Sequence, residues 1–464
     1  MKDLNWKNSA KTKTGILIVM LLLTAALFFS GCAPVEELAS ELKGELGMEG
    51  SETPLTEMVQ EEETEIDEED FDPWARFEVG SGKVAGFDLS NNTYYDKEVV
   101  TEEGESEPSD KEDKEDKDKK EGETASEDGA SYEYSDEKNY CFSLLNADEK
   151  KVYLQIFNCF MQMSENVELA TFNTEVVDKC FNYVMLDHPE IFYVYGYKIT
   201  VTKRGEEITR LGITGRYSVD EDERRLREDA IEAKVNDILK EAPETDDEYK
   251  KVKFAYDYIV GHTDYDSNVE DNQNIVSVFL YGRSVCQGYS MAMKYLLDRM
   301  GVFCTLVYGR ANNDNHSWNL VRMNGTYCFV DATWGDASYL DIVSGTQREK
   351  INYNYFGAND EILFNTHLIS SPAPVPECTS LDQYYYVKED AYFTSVDLDK
   401  LHRLFNKYRM NGTPTFTIKC SNKDVYEEFV AELLEGNRLF EFYEGVTSAN
   451  YKRDNMEYTL TFNV

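Results

Sequence analysis

Basic residues are scarce in this sequence relative to acidic ones. Lysine and arginine together number 47, against 89 aspartates and glutamates, and the formal net charge at pH 7 is -42. A protein that mainly binds nucleic acid or an anionic membrane surface needs a positive face, because both partners carry negative phosphates. The charge balance therefore argues against both as the main partner.

The nine cysteines contain no CxxC pair, and the sequence has no His/Cys/Asp/Glu cluster at metal-ligand spacing. Such spacings are the usual signature of a structural metal site or a dense disulfide framework. We therefore predict neither of these, and no cofactor. Cys304 and Cys328 lie within apolar, strand-like runs, where buried free thiols are expected.

A membrane-spanning run is also lacking, since "GILIVMLLLTAALFFS" has only about 16 apolar or small residues and a spanning helix needs ~20. Basic residues precede this run, and it ends at "SGC", where the cysteine is Cys32. The pattern resembles the lipobox of bacterial lipoproteins, although Phe29 stands where leucine is commoner. The resemblance implies a signal peptide over residues 1–32, a lipid on Cys32 as membrane anchor, and an exported protein on the outer face of the membrane. An uncleaved anchor helix is the alternative.

Leucine, isoleucine, valine, phenylalanine and tryptophan are all absent from Thr101 to Lys138, which includes "KEDKEDKDKK". A segment of this composition cannot bury enough apolar surface to offset its ordering entropy. We predict an acidic, largely disordered tether over residues 33–139, within which "FDPWARFEVGSGKVAGFDLSNNTYYD" is apolar enough for a small ordered patch.

Periodic patterns begin near Tyr140. Asn146 and Glu149 have the spacing of a capping box at the start of a helix. A second helix is expected to end before Pro189, and "IFYVYGYKITVTKRGEEITRLGITGRYS" predicts strands. Two more helices follow, the second with Thr245 and Glu248 at capping-box spacing.

The last segment, residues 381–464, predicts a β-α-β-α-β order and thus a small C-terminal α/β sandwich. The expected strands are "QYYYVKEDAYF", "TPTFTIKCS" and a single final strand in "YKRDNMEYTLTFNV". We find no catalytic constellation here and expect a supporting or partner-binding role.

The stretch "SVCQGYSMAMKYLLDRMG" predicts an amphipathic helix that begins at Cys286 and is capped by Gly301. Its apolar face comprises Tyr289, Met293, Leu296, Leu297 and Met300. Cys286 lies outside that face, at the helix N-terminus, where the dipole and free backbone amides favour a thiolate. Gly288 is expected to leave room for a substrate backbone. Cys286 is therefore a candidate nucleophile, with its own N–H as one oxyanion donor and the second donor left open.

A base for this thiol is expected in a hairpin downstream. Asn324-Gly325 predicts a type I′ turn, and pairing outward from it places Met323 opposite Thr326, Val321 opposite Cys328 and Trp318 opposite Asp331. His316 then shares a sheet face with Asp331 as its diagonal neighbour, within reach of a hydrogen bond.

Asp336 could compete with Asp331 for this role, but the register favours Asp331. The remaining histidines have no partner that the sequence can place, and we expect them in loops or on the surface: His188, His262, His367 and His402.

Three sequence motifs resemble those of the transglutaminase-like superfamily: "VCQGYSMAMKYLLDRMGVFCTLVYG", "NHSWNLV" and "GTYCFVDATWGD". The resemblance is specific over residues 276–336 and looser back to residue 140, where "DHPEIFYV" is shared with exported bacterial members. It implies an α+β, papain-like fold in which the cysteine opens a helix packed on an antiparallel sheet. The predicted domain spans residues 140–375 and includes an N-terminal extension of helices and strands.

By position, the resemblance implies that Cys286 is the nucleophile, His316 the general base and acid, and Asp331 the orienting carboxylate. Trp318 and Trp334 match aromatic positions that flank the His and Asp motifs, and they are expected to wall the site.

Two functions follow from this resemblance. In the first, the chain is a surface-tethered thiol enzyme that forms a Cys286 thioester with an amide substrate, such as an envelope protein or cell-wall peptide. Water as the second nucleophile makes it a peptidase or amidase, and a primary amine makes it a transamidase. In the second, the chain is a catalytically inactive binding or scaffolding module of the cell envelope.

Overall fold

The computed structural model describes residues 95–103, 138–312, 314–336, 351–442 and 451–463 of the 464-residue chain. The predicted signal peptide, Cys32 and most of the predicted tether lie outside the described residues. Chain contacts divide the protein into two units, Met1–Glu78 and Val79–Val464, and every described residue belongs to the second. A search of the described helices found none with the length and apolarity to span a membrane.

The described helices and strands alternate along most of the chain. The helices are α1 (Tyr140–Ser143), α2 (Ala147–Met161), α3 (Thr174–Asp187), α4 (Glu221–Leu239), α5 (Glu248–His262), α6 (Cys286–Arg299), α7 (Ala332–Gly335), α8 (Asp360–Leu363), α9 (Tyr385–Lys388), α10 (Leu398–Met410) and α11 (Lys423–Phe429). The strands are β1 (Asp96–Glu103), β2 (Val167–Glu168), β3 (Val194–Arg204), β4 (Glu207–Tyr217), β5 (Asp264–Tyr265), β6 (Arg283–Ser284), β7 (Cys304–Ala311), β8 (Asp314–Met323), β9 (Thr326–Val330), β10 (Phe356–Ala358), β11 (His367–Ile369), β12 (Tyr392–Phe393), β13 (Thr415–Cys420), β14 (Tyr451–Asp454) and β15 (Thr459–Asn463). The architecture is α+β, as predicted.

The N-terminal part of this unit is a four-stranded sheet in the order β1-β3-β4-β2. The β3–β4 hairpin turns at Gly205, whose φ of 64° suits glycine. Helix α2 opens with the predicted capping box, in which Asn146 and Glu149 each bond the other's backbone N–H. Helix α5 has no such capping box at Thr245 and Glu248, so that prediction was wrong. Its N-cap is Asp247, whose side chain accepts a hydrogen bond from the backbone N–H of Tyr249.

Strand β1 corrects the predicted tether, because residues 96–103 pair in parallel with β3 over eight residues. Composition did not reveal this strand, since its side chains are mostly exposed and its pairing comes from backbone hydrogen bonds. Tyr95, just before the strand, lies 5.3 Å from Phe181 between ring centroids and accepts a hydrogen bond from Gln287 Nε2 at 3.1 Å.

The central element is α6, which packs on a five-stranded antiparallel sheet in the order β10-β9-β8-β7-β11. Asn324 and Gly325 have φ of 51° and 85°, as a type I′ turn requires, so the predicted hairpin is confirmed. Gly301 follows α6 with φ of 69°, as predicted for a cap. The helix is less amphipathic than expected, since every residue from Cys286 to Lys294 is buried. The sheet, α5 and α7 all contact this helix.

The C-terminal part is a four-stranded sheet in the order β12-β13-β15-β14, with β12 parallel to β13. Two expectations were wrong here. "QYYYVKEDAYF" forms the short helix α9 and only a two-residue strand, and the final segment is the hairpin β14–β15 because "DNME" turns the chain.

Buried apolar side chains form two described clusters. One lies between α6 and the N-terminal elements. The other runs continuously from the opposite face of the central sheet into the C-terminal sheet, and it includes Trp318, Trp334, Tyr355, Phe405 and Phe462. The C-terminal elements therefore share a core with the sheet that carries the candidate site.

Candidate active site

Cys286 is the first residue of α6, directly after the extended N-cap residue Val285. Val285 offers no side-chain hydrogen bond to the first turn, so the backbone amides there are not capped by a side chain. Cys286 as a whole residue is 7% exposed. This placement leaves the positive end of the helix dipole to favour a thiolate.

His316 lies in β8 and is 4% exposed. Its Nε2 lies 2.7 Å from Asp331 Oδ2. Because Nε2 is engaged there, Nδ1 is the nitrogen left for the Cys286 thiol, whose pKa His316 lowers. The three predicted catalytic residues therefore meet at one point.

Asp331 follows the last residue of β9 and serves as the N-cap of α7. Its Oδ1 accepts the backbone N–H groups of Thr333 at 2.9 Å and Trp334 at 3.0 Å. This leaves Oδ2 directed at His316. The capping role fixes the carboxylate by backbone hydrogen bonds, which is how a short helix can orient a catalytic side chain.

The electrostatics of the three groups favour an ion pair. Burial would raise the pKa of the Cys286 thiol, but the hydrogen bond and charge of His316 outweigh it and the pKa is lowered. Burial would lower the pKa of His316, but the Asp331 charge and hydrogen bond raise it to about 10. Despite its burial, Asp331 has a lowered pKa because of His316. A thiolate–imidazolium pair beside an ionised carboxylate is the state these shifts describe.

The register that led to His316 and Asp331 is present in the hairpin. Met323 pairs with Thr326 and Val321 with Cys328, as predicted. The ladder ends one pair early, at Asn319 and Val330, so Asp331 has left the sheet and begun α7. The expected diagonal contact is made from a helix cap rather than from a strand.

Residues 237–332 match the family model described as the transglutaminase-like superfamily. These residues form a transglutaminase-like domain. The matched range contains Cys286, His316 and Asp331.

The chain is also similar to solved structures, each at a low TM-score. A structure described as "a TGase" has 16% identity and a TM-score of 0.22, covering 34% of this chain and 46% of the other. A "Putative Cysteine Protease" from Cytophaga hutchinsonii has 14% identity and a TM-score of 0.23, covering 35% and 55%. Menin has 14% identity and a TM-score of 0.22, covering 42% and 44%. The chain thus spans about half of each. No curated protein matches the chain.

The two tryptophans expected to wall the site lie beside it. Trp318 and Trp334 are buried beside His316, with ring centroids 5.9 and 6.2 Å from the imidazole. Neither indole N–H has an acceptor among the described residues. Both rings therefore shield the His316–Asp331 hydrogen bond from water.

Gly288 requires a correction. An added Cβ would lie 1.9 Å from Ser284 Oγ and about 3 Å from the carbonyl oxygens of Asn274 and Asn272. The space beside Gly288 is filled by the protein's own loop and is not open to a substrate backbone. The glycine allows α6 to pack closely on this loop.

Asp336 contacts helix α6. Its Oδ2 accepts the Tyr289 hydroxyl at 2.7 Å, which joins α6 to the residue after α7. The preference for Asp331 over Asp336 therefore agrees with the contacts.

His367 is the site residue that sequence reasoning missed. It was expected in a loop or on the surface, but it is fully buried in β11 and its Nε2 lies 3.1 Å from Asp331 Oδ2. The only available signal was the apolar run "HLI", which is too short to indicate a strand.

His316, Asp331 and His367 offer three potential metal-ligand atoms within 4.8 Å of one another. The nitrogen–oxygen separations of 2.7 and 3.1 Å are those of hydrogen bonds, and both oxygens of Asp331 already accept N–H groups. We assign these atoms to hydrogen bonding rather than to coordination.

Proposed function

We propose that this chain is a cysteine enzyme of the acyl-transfer class that acts on amide bonds. The observation that carries the proposal is a helix-terminal thiol whose pKa is lowered by His316, combined with the hydrogen bond between His316 and the backbone-anchored carboxylate of Asp331. Thiol, imidazole and carboxylate in this order are the parts that nucleophilic acyl transfer needs.

The reaction follows from these positions. The Cys286 thiolate attacks the amide carbonyl, and the Cys286 backbone N–H at the start of α6 is placed to donate to the developing oxyanion. His316 gives its Nδ1 proton to the leaving amine, and a thioester remains on Cys286. His316 then takes a proton from the second nucleophile, whose attack on the thioester releases the acyl group and restores the Cys286 thiolate and the His316 imidazolium. Asp331 holds the imidazole ring in place through both proton transfers.

Water and a primary amine are both suitable second nucleophiles, so the proposal covers a peptidase or amidase and a protein transamidase. We further propose that the enzyme is an exported lipoprotein held through Cys32, with envelope proteins or cell-wall peptides as substrates. The supporting features are the basic N-terminus, the short apolar run and the "SGC" sequence. Loss of the protein from the membrane fraction in a Cys32→Ser variant tests this location.

The alternative is a binding module that keeps the fold without the chemistry. One observation favours it: with Cys286 and His316 both buried, the thiol has little room for a substrate in this conformation. Reactivity of the thiol distinguishes the two functions.

We expect Cys286 to react with iodoacetamide well below the unperturbed thiol pKa of ~8.5, as followed by peptide mass spectrometry against pH. His316→Ala should abolish this early reaction, and the exposed His402→Ala should not. The other seven described cysteines are internal controls, because they are buried and burial raises the pKa of each thiol. Labelling of Cys286 only near pH 8.5, unchanged by His316→Ala, would favour the binding module.

A further inference from the structure

His367 makes a second imidazole contact with the carboxylate that orients His316. Both histidines approach the same oxygen, Asp331 Oδ2, and their ring centroids are 5.5 Å apart. An ionised carboxylate can only accept, so His367 must present Nε2–H to it. Trp318, Trp334 and Tyr355 pack against the His367 ring with centroids 4.8 to 5.0 Å away.

The contacts continue from His367 into the C-terminal elements. His367 Nδ1 lies 2.8 Å from Thr366 Oγ1, which lies 2.6 Å from the Tyr355 hydroxyl. The Tyr355 hydroxyl lies 2.9 Å from Glu457 Oε1, in the turn between β14 and β15. The Glu457 side chain retains 13% exposure, so this end of the chain of contacts reaches solvent.

A count of hydrogens shows that this series of contacts lacks one hydrogen when Asp331 and Glu457 are ionised and His367 is neutral. Four contacts run from Asp331 to Glu457. With His367 neutral and both carboxylates ionised, only three hydrogens are available, one each on His367, Thr366 and Tyr355. One contact then joins two acceptors without a hydrogen. A single added proton, on either His367 or Glu457, fills all four contacts.

Ionisable groups lie at both ends of this series of contacts. Burial outweighs Asp331 and lowers the pKa of His367, which favours a neutral imidazole. Lys419 Nζ donates a hydrogen bond to Glu457 Oε2 at 3.3 Å. The titratable groups that face the two ends are Asp331, His316, Tyr355, Tyr384 and Lys419.

We propose that His367 is a positioning residue for Asp331, and that His367, Thr366, Tyr355 and Glu457 form a hydrogen-bonded relay that holds one exchangeable proton. When that proton is on Glu457, His367 is neutral and the full charge of Asp331 serves the His316 imidazolium. When Thr366 and Tyr355 have passed hydrogens along the chain and His367 carries the charge, it competes with His316 for the same oxygen. The link to catalysis rests on the proposed acyl-transfer function, whereas the relay itself does not.

The relay is tested by ¹⁵N NMR of the full chain with labelled histidine, which is practical because the protein has five histidines. In the wild type, we expect His367 Nε2 to be protonated and its Nδ1 resonance to shift with pH. Glu457→Gln supplies the terminal N–H that protonated glutamate would supply, and Tyr355→Phe cuts the relay. Both variants should fix His367 as the neutral Nε2–H form and abolish the shift. Glu441→Gln, at an exposed site, should leave it unchanged.

Two results would overturn the relay: a His367 that lacks the Nε2 proton, or an Nδ1 shift that persists in both Glu457→Gln and Tyr355→Phe. The buried His188 resonance reports whether each variant remains folded. Cys286 labelling is measured on the same samples. If Cys286 does not react early but His367 responds as expected, the acyl-transfer proposal fails and the relay stands.

Discussion

At the scale of single residues, Asp331 is the most constrained group in the site. Its two carboxylate oxygens accept two backbone N–H groups and face two imidazoles. The pair His316–Asp331 could be predicted because a two-residue turn sets the register of the whole hairpin. The contact of His367 with Asp331 could not be predicted, because the two residues are 36 positions apart and neither a tight turn nor a helix or strand periodicity relates them.

Asp331→Asn should uncouple the thiol from its base. The substitution removes the charge that raises the pKa of His316, and therefore also the imidazolium that lowers the pKa of Cys286. We expect the onset of Cys286 labelling to move toward ~8.5 and acyl transfer, once a substrate is known, to fall about 10²–10⁴-fold.

Asp336→Asn is the matched control, since this buried aspartate bonds Tyr289 and not His316. Equal labelling profiles for the two variants would contradict the role of Asp331.

At the scale of elements, periodicity predicted the long helices and the strands joined by tight turns. It did not predict elements that depend on distant partners. Strand β1 has almost no buried side chain of its own, and the all-round burial of α6 near Cys286 comes from elements on every side. The close packing at Gly288 also depends on such neighbours, because it becomes visible only when Ser284, Asn272 and Asn274 are placed beside the glycine.

Gly288→Ala should destabilise the protein by about 1–3 kcal/mol, because the added methyl overlaps Ser284 and two carbonyl oxygens. Urea unfolding measures the change. Gly261→Ala is the matched control, because no atom lies within 4 Å of the added Cβ there and the residue is in helix α5. That variant should be stabilised by up to about 1 kcal/mol. An unchanged free energy of unfolding in Gly288→Ala would mean that the packing around this glycine is looser than described.

At the scale of the whole molecule, the site lies between the two buried clusters. Cys286 opens a helix of the first, while Trp318 and Trp334 belong to the second, which continues into the C-terminal sheet. The sequence predicted an α/β segment there but not that it would share a core with the site, because the joining side chains are scattered from Phe303 to Phe462.

Stability should depend on pH through two opposing groups. His316 has a folded pKa of about 10, above its unfolded ~6.5, so its contribution is complete below ~6.5 and lost as pH rises toward 10. Cys286 has a lowered folded pKa, so its contribution appears as pH rises through the range up to ~8.5. In the wild type, the two contributions change in opposite directions between pH ~6.5 and ~8.5 and therefore offset each other there.

Cys286→Ser removes the thiol and should reveal the His316 contribution. Between pH 6.5 and 8.5, the urea midpoint of this variant should fall more steeply than that of the wild type. The double variant Cys286→Ser/His316→Gln should lose the added slope. An unchanged slope in Cys286→Ser would mean that the ion pair does not form.

Strand β1 gives the protein a mechanical property. A pull on the chain before Tyr95, directed along the strand, loads the β1–β3 hydrogen bonds in shear, so that eight paired residues resist together. Tyr95 is the first residue to bear that tension, and its hydroxyl is bonded to Gln287, next to Cys286. Force on the N-terminal side therefore reaches the start of α6, the helix that begins with Cys286, before the β1–β3 hydrogen bonds break.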